Sequence, residues 1–396
     1  MRIALIADTY PPLRTSGAVQ LRDLSRELVR QGHEATVMLP APGQSARWTV
    51  EHIDGVRVVR LRAPRTKDIG YVRRTLAEFR MPFAMLRSLR ASPVADERWD
   101  GVVWYAPSIF HGPMASALKK SSGCKGYLII RDIFPEWAVD MGLMGRGLPY
   151  RLLSTVARYQ YSVADVIGVQ TAGNRRYFAD WMRSPGRTLE VLQNWLDQPA
   201  QLRCRIRIDE TALAGRRIFV YAGNMGVAQG MDILVDLAER MRLRPDVGFV
   251  FVGRGSDGAR LKRVCRDRDL DNALFFDEID PDEIPDLYRQ CSAGLVALDP
   301  RHRSHNIPGK FLTYMQSGLP VLASLNAGND LAEVIRTEQV GQVCETHRID
   351  DLLAFADRLL EQIETDGSLP DRCRALFERE FSVTRAAAQV VAALSA

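Results

Sequence analysis

The chain of 396 residues is longer than one hydrophobic core usually supports, so we expect two domains. Hydrophobic residues make up 46% of the sequence, yet no run reaches the length of about 18 apolar residues that a membrane-spanning helix needs. The net charge of +5 is concentrated between residues 57 and 98, where 11 Lys and Arg accompany 4 Asp and Glu.

The six cysteines are scattered and form no CxxC pair. We therefore expect a reducing compartment, with neither a disulfide framework nor a zinc site. The first apolar run, residues 3–7, ends at Asp8 without a cleavage pattern. This is typical of a cytoplasmic start rather than of a signal peptide.

The first half alternates short apolar runs with segments of helix length. A strand over residues 3–7, a helix with Leu21, Leu24 and Leu28 on one face, and a strand over residues 35–39 form a βαβ unit. Further strands are predicted at residues 56–61, 101–105, 126–130 and 166–170. This pattern indicates a parallel sheet covered by helices.

The pattern starts again after a charged connector over residues 196–214. Strands are predicted at residues 217–222, 247–252, 273–276, 293–298 and 320–323, with a helix over residues 231–241. We therefore predict a first domain over residues 1–198 and a second over residues 199–380. The apolar segment 381–396 is expected to form a helix that packs back on the first domain.

Two glycine-rich turns follow strands of the second domain. Glycine turns that lead into helices offer main-chain N–H groups and a partial positive charge to a phosphate. We therefore expect a phosphate or sugar at Gly223, Asn224 and Gly226, and again at Gly253 and Arg254. The alternative is that these glycines only satisfy the backbone angles of tight turns.

Lys310 lies at a predicted helix start, where a positive charge is unfavourable unless an anion is bound nearby. It is therefore a candidate phosphate ligand, although it could also be a solvated lysine. Residues 253–258 also satisfy the G-x-G-x-x-G pattern, with Asp277 about 20 residues further on, as in dinucleotide oxidoreductases. That pattern normally opens its domain, whereas here a complete strand, turn and helix precede it.

Residues 221–231, 252–256 and 307–324 resemble the GT-B glycosyltransferases of family 4. Residues 131–136, Arg-Asp-Ile-Phe-Pro-Glu, are similar to the branch that contains the N-acetylfucosamine transferases of bacterial surface-polysaccharide synthesis. The resemblance implies an α/β fold of two Rossmann-like domains that face each other across a cleft. It also implies a nucleotide-sugar donor held by the second domain, an acceptor held by the first, retention of anomeric configuration, and no metal or other cofactor.

The chain departs from the family pattern in two places. Asn224 and Gln229 occupy positions where many relatives have an Arg and a Lys that hold the diphosphate. His305 and Thr313 occupy the positions of two glutamates. Because a buried diphosphate still needs positive charge, Lys310 and Arg254 become the expected phosphate ligands.

The segment that follows the predicted strand at residues 126–130 contains three candidates for catalysis. Asp132 and Glu136 could assist deprotonation of the acceptor, unless the leaving phosphate accepts that proton. Alternatively they cap a helix and occupy its first turn. Arg131 occupies a position where many relatives have histidine, so a contact with the donor phosphate or sugar is expected.

Other candidate contacts are less specific. Asp277 and Ile279 are placed near the donor base, and Glu333 resembles a donor-contacting position. Arg14 and Gly17, in the first loop, could approach the donor phosphate or the acceptor. Alternatively, Asp277 and Ile279 lie in a surface turn, Glu333 lies on a solvated helix face, and the first loop has no ligand.

Residues 71–90 interleave basic and apolar side chains, which is typical of a helix at an anionic membrane surface. A core helix with a basic solvated face, or a nucleic-acid patch, would give a similar pattern. We expect this segment to contact the inner face of the cytoplasmic membrane and not to bind nucleic acid. The residues expected at the membrane are Arg73, Arg74, Phe79, Arg80, Phe83 and Arg87.

Together these observations predict a retaining glycosyltransferase that moves an N-acetylated sugar from a UDP-sugar to a lipid-diphosphate-linked acceptor in surface-polysaccharide synthesis. We expect a cytoplasmic protein that is peripheral at the inner membrane. The alternatives are a nucleotide-sugar epimerase, an NAD(P)-dependent oxidoreductase, and a non-catalytic module that binds polysaccharide or lipid.

Overall fold

The computed structural model describes residues 1–13, 15–67, 69–140, 142–198, 202–226, 229–299 and 307–396. The chain forms two compact units. The first contains Met1–Trp195 and Val383–Ala396, and the second contains Leu196–Ser382.

The first unit is built on a sheet whose described strands have the order β3-β4-β2-β1-β5-β6-β7-β8. All neighbours are parallel except β3 and β4. The bounds are β1 (Arg2–Ile6), β2 (Glu34–Ala41), β3 (Trp48–Ile53), β4 (Val56–Arg62), β5 (Gly101–Tyr105), β6 (Lys125–Ile129), β7 (Val166–Val169) and β8 (Thr188–Val191).

The helices of this unit connect the parallel strands. They are α1 (Ser16–Arg30), α2 (Tyr71–Leu89), α3 (Gly112–Ser122), α4 (Glu136–Asp140), α5 (Leu148–Val163) and α6 (Ala179–Met182), with a 3₁₀ segment at Ala172–Phe178. One core, on the α2, α3 and α5 side of the sheet, contains Met81, Met114 and Ala157. A second core on the other side contains Leu21, Leu24 and Leu28 of α1.

The second unit has a parallel sheet with the order β11-β10-β9-β12-β13-β14. This is the strand order of a Rossmann domain. The bounds are β9 (Arg217–Ala222), β10 (Val247–Val252), β11 (Ala273–Phe276), β12 (Ala293–Ala297), β13 (Val321–Ser324) and β14 (Gly341–Cys344). All residues of β10, β12 and β13 are buried, as expected when helices cover both faces.

Helices lie on both sides of this second sheet. They are α7 (Asp232–Arg240), α8 (Gly258–Asp267), α9 (Ile284–Arg289), α10 (Gly309–Ser317), α11 (Asp330–Glu338), α12 (Ile349–Thr365) and α13 (Leu369–Leu376). The last helix, α14 (Val383–Ser395), belongs to the first unit and contacts α1 and β6 there. Its packing is close, because a Cβ atom added to Gly101 would lie 2.6 Å from Leu394 Cδ1.

The two parallel-sheet units confirm the predicted fold class. Every predicted strand is present, with bounds that differ by at most two residues. Strands β3, β8 and β14 were not predicted from the sequence. The first two are edge strands with partly exposed residues, and β14 has only four residues, so none has the buried apolar run that marks an interior strand. Among the described helices, none has the length and hydropathy that crossing a bilayer requires.

Candidate functional site

The two glycine turns of the second unit pack directly against each other. A Cβ atom on Gly253, which has φ +141°, would lie 2.0 Å from the carbonyl oxygen of Gly223. A Cβ atom on Gly255 would lie 2.2 Å from the carbonyl oxygen of Met225. Glycine is therefore required at both positions, by the close approach of two backbones as well as by their dihedral angles.

This packing corrects one premise of the sequence analysis. The N–H of Gly223 donates to Val252 O at 2.9 Å and that of Met225 donates to Arg254 O at 2.8 Å. The N–H of Gly226 donates to Gln229 Oε1 at 3.0 Å. Because these groups already have acceptors inside the protein, the amides of Gly223 and Gly226 are not available to a phosphate as we had expected.

Asn224 and Gln229, which replace the expected Arg and Lys, bond to each other. The side-chain amide of Asn224 donates to Gln229 Oε1 at 3.2 Å. The pair therefore stabilises the turn and contributes no positive charge to it.

Lys310 lies beside this turn, in the first turn of α10. Its Nζ atom donates to the Tyr221 hydroxyl at 3.0 Å and lies 4.4 Å from the centroid of the Tyr221 ring. Its Cε atom would be 3.6 Å from a Cβ atom on Gly223. Within the described residues, no carboxylate lies within ion-pairing distance of this ammonium group.

The environment of Lys310 is unfavourable for its charge. Burial lowers the pKa of this lysine to about 8. The Tyr221 ring and hydroxyl provide only partial compensation, since neither carries a negative charge. The N–H of Phe311 donates to Pro308 O at 3.0 Å, and the N-terminus of α10 adds further positive potential through the helix dipole. The chemical group that fits this arrangement is an anion.

The remaining candidates of the second unit differ in exposure, and their donor contacts stay predictions. The Arg254 side chain is 80% exposed and pairs with Glu278 at 3.0 Å. The Asp277 side chain is 93% exposed and pairs with Lys262 at 3.3 Å. Ile279 is buried in the core, whereas Glu333 is exposed on α11. His305 lies outside the described residues.

Arg131, in the first unit, is buried, and both of its Nη atoms donate to the main chain, whereas its Nε has no hydrogen-bond partner among the described residues. Its guanidinium donates to Leu192 O at 2.9 Å and to Gln193 O at 3.4 Å, and lies 4.3 Å from the centroid of the Trp195 ring. It therefore holds the segment after β8 in place. This use of its donors disfavours the direct contact with phosphate or sugar that we had expected.

Asp132 and Glu136 both follow β6 and lie near its carboxyl end. Asp132 is exposed and its charge acts on Arg131 and Tyr105. Glu136 Oε1 accepts a hydrogen bond from the Tyr150 hydroxyl at 2.7 Å. Both carboxylates are therefore at the edge of the sheet where α/β proteins bind ligands.

The N-terminus of α1 lies at the same edge. The Thr15 side chain caps the helix by accepting from the N–H of Ala18 at 3.3 Å. Gly17 packs against Tyr105, and the Tyr105 hydroxyl donates to Gln20 Oε1 at 2.7 Å. Burial raises the pKa of Tyr105 to about 12. Arg14 lies outside the described residues.

Helix α2 has one buried face and one mixed face. Phe79 is partly buried and packs inward against Phe110, with ring centroids 5.2 Å apart, which disfavours its expected contact with a membrane. Arg74 Nε donates to Glu78 at 2.8 Å. The exposed residues of the helix are Val72, Arg73, Arg74, Leu76, Arg80, Phe83 and Arg87.

Tyr221 was not predicted from the sequence to contact Lys310. The residue is buried in β9, and an apolar strand pattern gave no reason to separate it from its neighbours. Its position two residues before Gly223 was the available signal, because a side chain near the carboxyl end of a strand can reach the adjacent turn.

Comparison with known families agrees with this geometry. Residues 16–195 match the model described as glycosyl transferase 4-like domain, and residues 216–363 match glycosyl transferases group 1. A protein of Escherichia coli K12, described as the colanic acid biosynthesis glycosyl transferase WcaI, is 25% identical over 87% of this chain and 86% of its own. The glycosyltransferase WbjE of Pseudomonas aeruginosa is 23% identical over 67% of this chain and 66% of its own.

Solved structures show the same fold at low sequence identity. The sucrose-phosphate synthase of Thermosynechococcus elongatus has a TM-score of 0.70 and 17% identity, over 99% of this chain and 97% of its own. WaaG, a glycosyltransferase of lipopolysaccharide biosynthesis, has a TM-score of 0.62 and 15% identity, over 99% of each chain. With both halves of the chain matched, the protein is a glycosyltransferase of the GT-B fold, built from a glycosyl transferase 4-like domain and a group 1 domain.

Proposed function

We propose that the protein transfers an N-acetylated sugar from UDP to a lipid-diphosphate-linked acceptor during the synthesis of a surface polysaccharide, with retention of anomeric configuration. The observation that carries this proposal is the position of Lys310, a partly buried lysine beside Gly223 and a helix N-terminus, without a carboxylate partner in the described chain. Such a cation fits the diphosphate of a nucleotide-sugar.

The relatives support the finer parts of this proposal by their names. WcaI is described as acting in colanic acid biosynthesis, and WaaG in lipopolysaccharide biosynthesis. HepE of Anabaena was solved in complex with UDP and glucose, with a TM-score of 0.66 to this chain. A UDP-sugar and a polysaccharide acceptor are therefore the first substrates to test, including the N-acetylfucosamine donor that the sequence resemblance suggests.

In the proposed reaction an acceptor hydroxyl oxygen forms a bond to the anomeric carbon of the donor. The bond from that carbon to the diphosphate oxygen breaks, and negative charge develops on the leaving diphosphate. Lys310 and the N-terminus of α10 stabilise this charge, as preorganised dipoles and cations do in other enzymes. The acceptor proton passes either to the leaving phosphate oxygen or to a carboxylate, for which Asp132 and Glu136 are the candidates.

Metal independence belongs to the same proposal. Lys310 and the helix dipole supply positive charge where some sugar transferases use a divalent cation. We expect the rate of transfer to be the same with EDTA as with Mg²⁺. A rate that falls at least tenfold in EDTA and recovers with metal would contradict this part of the proposal.

We propose that the exposed face of α2 contacts an anionic membrane. Val72, Leu76 and Phe83 are exposed, and so are Arg73, Arg80 and Arg87. Arg80, Phe83 and Arg87 also line a groove of about 350 Å³ together with Arg62. A face that combines apolar and basic side chains suits acidic lipid headgroups better than it suits nucleic acid, which would leave the apolar residues without contacts.

The donor assignment is tested by thermal stabilisation with UDP-, GDP- and dTDP-sugars, since a bound ligand raises apparent stability. We expect UDP-sugars to stabilise the wild type and to lose this effect with Lys310→Met. Lys262→Met removes an exposed lysine of the same unit and is the matched control. Equal stabilisation of wild type and Lys310→Met would remove Lys310 from the donor site.

Retention is tested separately on the product. The anomeric coupling constant in the NMR spectrum of the new linkage should match that of the donor. An inverted linkage would contradict the proposed stereochemistry and leave the donor assignment intact.

A further inference from the structure

A groove in the first unit provides a second place for a substrate. It has a volume of about 390 Å³ and lies along α5, between that helix and the segment that contains α6. It begins at residues that follow β6, including Glu136, and extends to Arg187, just before β8. We call it the α5–α6 groove. Its volume is within the range of small-molecule sites, which is roughly 300–1,000 Å³.

Aromatic side chains form much of the wall of this groove. They are Phe134, Tyr161, Tyr177, Phe178 and Trp181. Tyr161 and Phe178 pack edge to face with centroids 5.0 Å apart, and Trp181 Nε1 donates to Tyr161 O at 2.7 Å. The wall is therefore held in place by its own contacts. Phe178 and Trp181 are buried, at 1% and 9% exposure, whereas Phe134 and Tyr161 are partly exposed and Tyr177 is exposed. These last three rings offer the surface that suits the apolar face of a sugar ring.

Two arginines add positive charge to the groove. Arg187 lies 5.2 Å from the centroid of Trp181 and donates to Trp181 O at 3.0 Å. Arg158 is exposed on α5. In the part of the chain that the structure describes, neither guanidinium pairs with a carboxylate. Two carboxylates also line the groove, and both have partners: Asp180 pairs with Arg183 at 3.1 Å and Glu136 accepts from the Tyr150 hydroxyl at 2.7 Å. Arginine binds phosphate through two parallel hydrogen bonds, so the two arginines without a carboxylate partner favour an anionic ligand.

Ser154 is an independent indication that the groove is incomplete without a ligand. It lines the groove and is 8% exposed, and its hydroxyl oxygen has no hydrogen-bond partner among the described residues. A buried hydroxyl without a partner is costly, and such groups are often satisfied by a ligand or by water.

We infer that the α5–α6 groove binds the acceptor as a phosphate-linked saccharide, an inference that rests on the proposed function. Its sugar rings lie on the aromatic wall and its phosphate lies at Arg158 and Arg187. The far end of the saccharide then points toward Glu136 and the carboxyl end of β6, where the reacting hydroxyl must be. The phosphate can belong to a lipid-linked diphosphate or to a soluble sugar phosphate, and the test separates these two sources.

The test is a titration of the protein with saccharide probes, in which the fluorescence of Trp181 reports binding. The probes are the 1-phosphates of glucose, galactose and N-acetylglucosamine, the corresponding free sugars, and undecaprenyl diphosphate N-acetylglucosamine in detergent. We expect at least one sugar phosphate to change the emission, and the matching free sugar to bind at least about tenfold more weakly. Tighter binding of the lipid-linked probe would identify the lipid as the source. The response should be lost with Trp181→Phe.

Arg158→Gln is the decisive variant, because the Arg158 side chain makes no hydrogen bond or ion pair within the described chain and its loss should not disturb the fold. We expect the Kd for the phosphate probe to rise about tenfold or more. Arg151→Gln is the matched control, since Arg151 is an exposed arginine of α5 that does not line the groove. Its Kd should stay within about twofold of wild type.

Three results would overturn the inference. They are the absence of any phosphate-dependent response, equal binding of free and phosphorylated sugar, and an unchanged Kd in Arg158→Gln. UDP binding to the same samples separates this inference from the proposed function. If UDP binds and Arg158→Gln has no effect, only the inference about the groove fails. If UDP and UDP-sugars fail to bind the wild type, the donor assignment fails.

Discussion

Each unit contains a desolvated cation beside an aromatic ring, and the two cations have opposite surroundings. Arg131 in the first unit donates to two main-chain carbonyls and stacks on Trp195. Lys310 in the second unit has the ring and hydroxyl of Tyr221 and no carboxylate within reach in the described residues. The first cation completes the structure around it, whereas the second is left with a charge to be neutralised.

The comparison shows which observation separates a structural cation from a binding one. Burial and proximity to a ring are common to both, so neither feature discriminates. The hydrogen-bond acceptors of the two cations do discriminate. A guanidinium that donates to main-chain carbonyls has fewer N–H groups left for a ligand. Lys310, whose one side-chain acceptor among the described residues is the Tyr221 hydroxyl, remains able to bind an anion.

The largest expected effect is on the stability of the first unit. Arg131→Met should lower its free energy of unfolding by about 3 kcal/mol, because two carbonyls lose a charged donor inside the protein. Urea unfolding followed by tryptophan fluorescence measures this change. Arg151→Met, at an exposed position on α5, is the control and should change stability by less than about 0.5 kcal/mol. An equally small change in Arg131→Met would show that Arg131 is not structural.

Replacing Lys310 should change the free energy of unfolding in the opposite direction. Burial lowers the pKa of Lys310 to about 8, so the charged form destabilises the folded state at neutral pH. Lys310→Met should therefore raise the free energy of unfolding by about 1–2 kcal/mol at pH 7. Because the folded state releases this proton at a lower pH than the unfolded state, wild-type stability rises above pH 8 and the difference should shrink. A variant that is less stable than wild type at pH 7 would contradict this account.

A smaller effect is expected from the neighbour of Lys310. Tyr221→Phe removes the hydroxyl that accepts from Lys310 and donates to Asn224 O at 2.7 Å. The ring remains, so we expect the Kd for UDP to rise about three- to tenfold, equivalent to about 1 kcal/mol. Titration calorimetry measures it. A loss as large as that of Lys310→Met would mean that Tyr221, rather than Lys310, contacts the diphosphate.

The smallest effect is expected at Arg254. Its pair with Glu278 is exposed to solvent, so Arg254→Ala should change the free energy of unfolding by less than about 0.5 kcal/mol. Thermal unfolding in low salt measures this. A loss above about 1 kcal/mol would indicate that the ion pair supports the second glycine turn.

The sequence allowed the fold to be predicted, and Lys310 to be proposed as a phosphate ligand, for physical reasons that are local. Interior strands such as β10 are buried along their whole length and have a continuous apolar run. Lys310 was recognisable because a positive charge at a helix start is unfavourable in any fold. Neither inference needed a contact between distant parts of the chain.

The features that were missed or misjudged depend on such contacts. The amides of the first glycine turn are bonded because a second turn, about 30 residues later, packs against it. Arg131 bonds a carbonyl 61 residues away in sequence. The α5–α6 groove combines residues from three separate segments between Ile133 and Arg187. Residue spacing and composition do not predict these contacts between distant segments.

The central claim is that Lys310 neutralises the donor diphosphate, and the affinity for UDP as a function of pH tests it most directly. The pKa of Lys310 without a ligand is about 8, and a bound anion must raise it. Affinity should therefore fall by only about twofold between pH 7 and 8 and then weaken by up to tenfold per unit above pH 8. In Lys310→Met, affinity should be about 100-fold lower at pH 7 and independent of pH up to 9.5. A wild-type affinity that does not change between pH 8 and 9.5, or a Lys310→Met variant that binds UDP as tightly as wild type, would contradict the account.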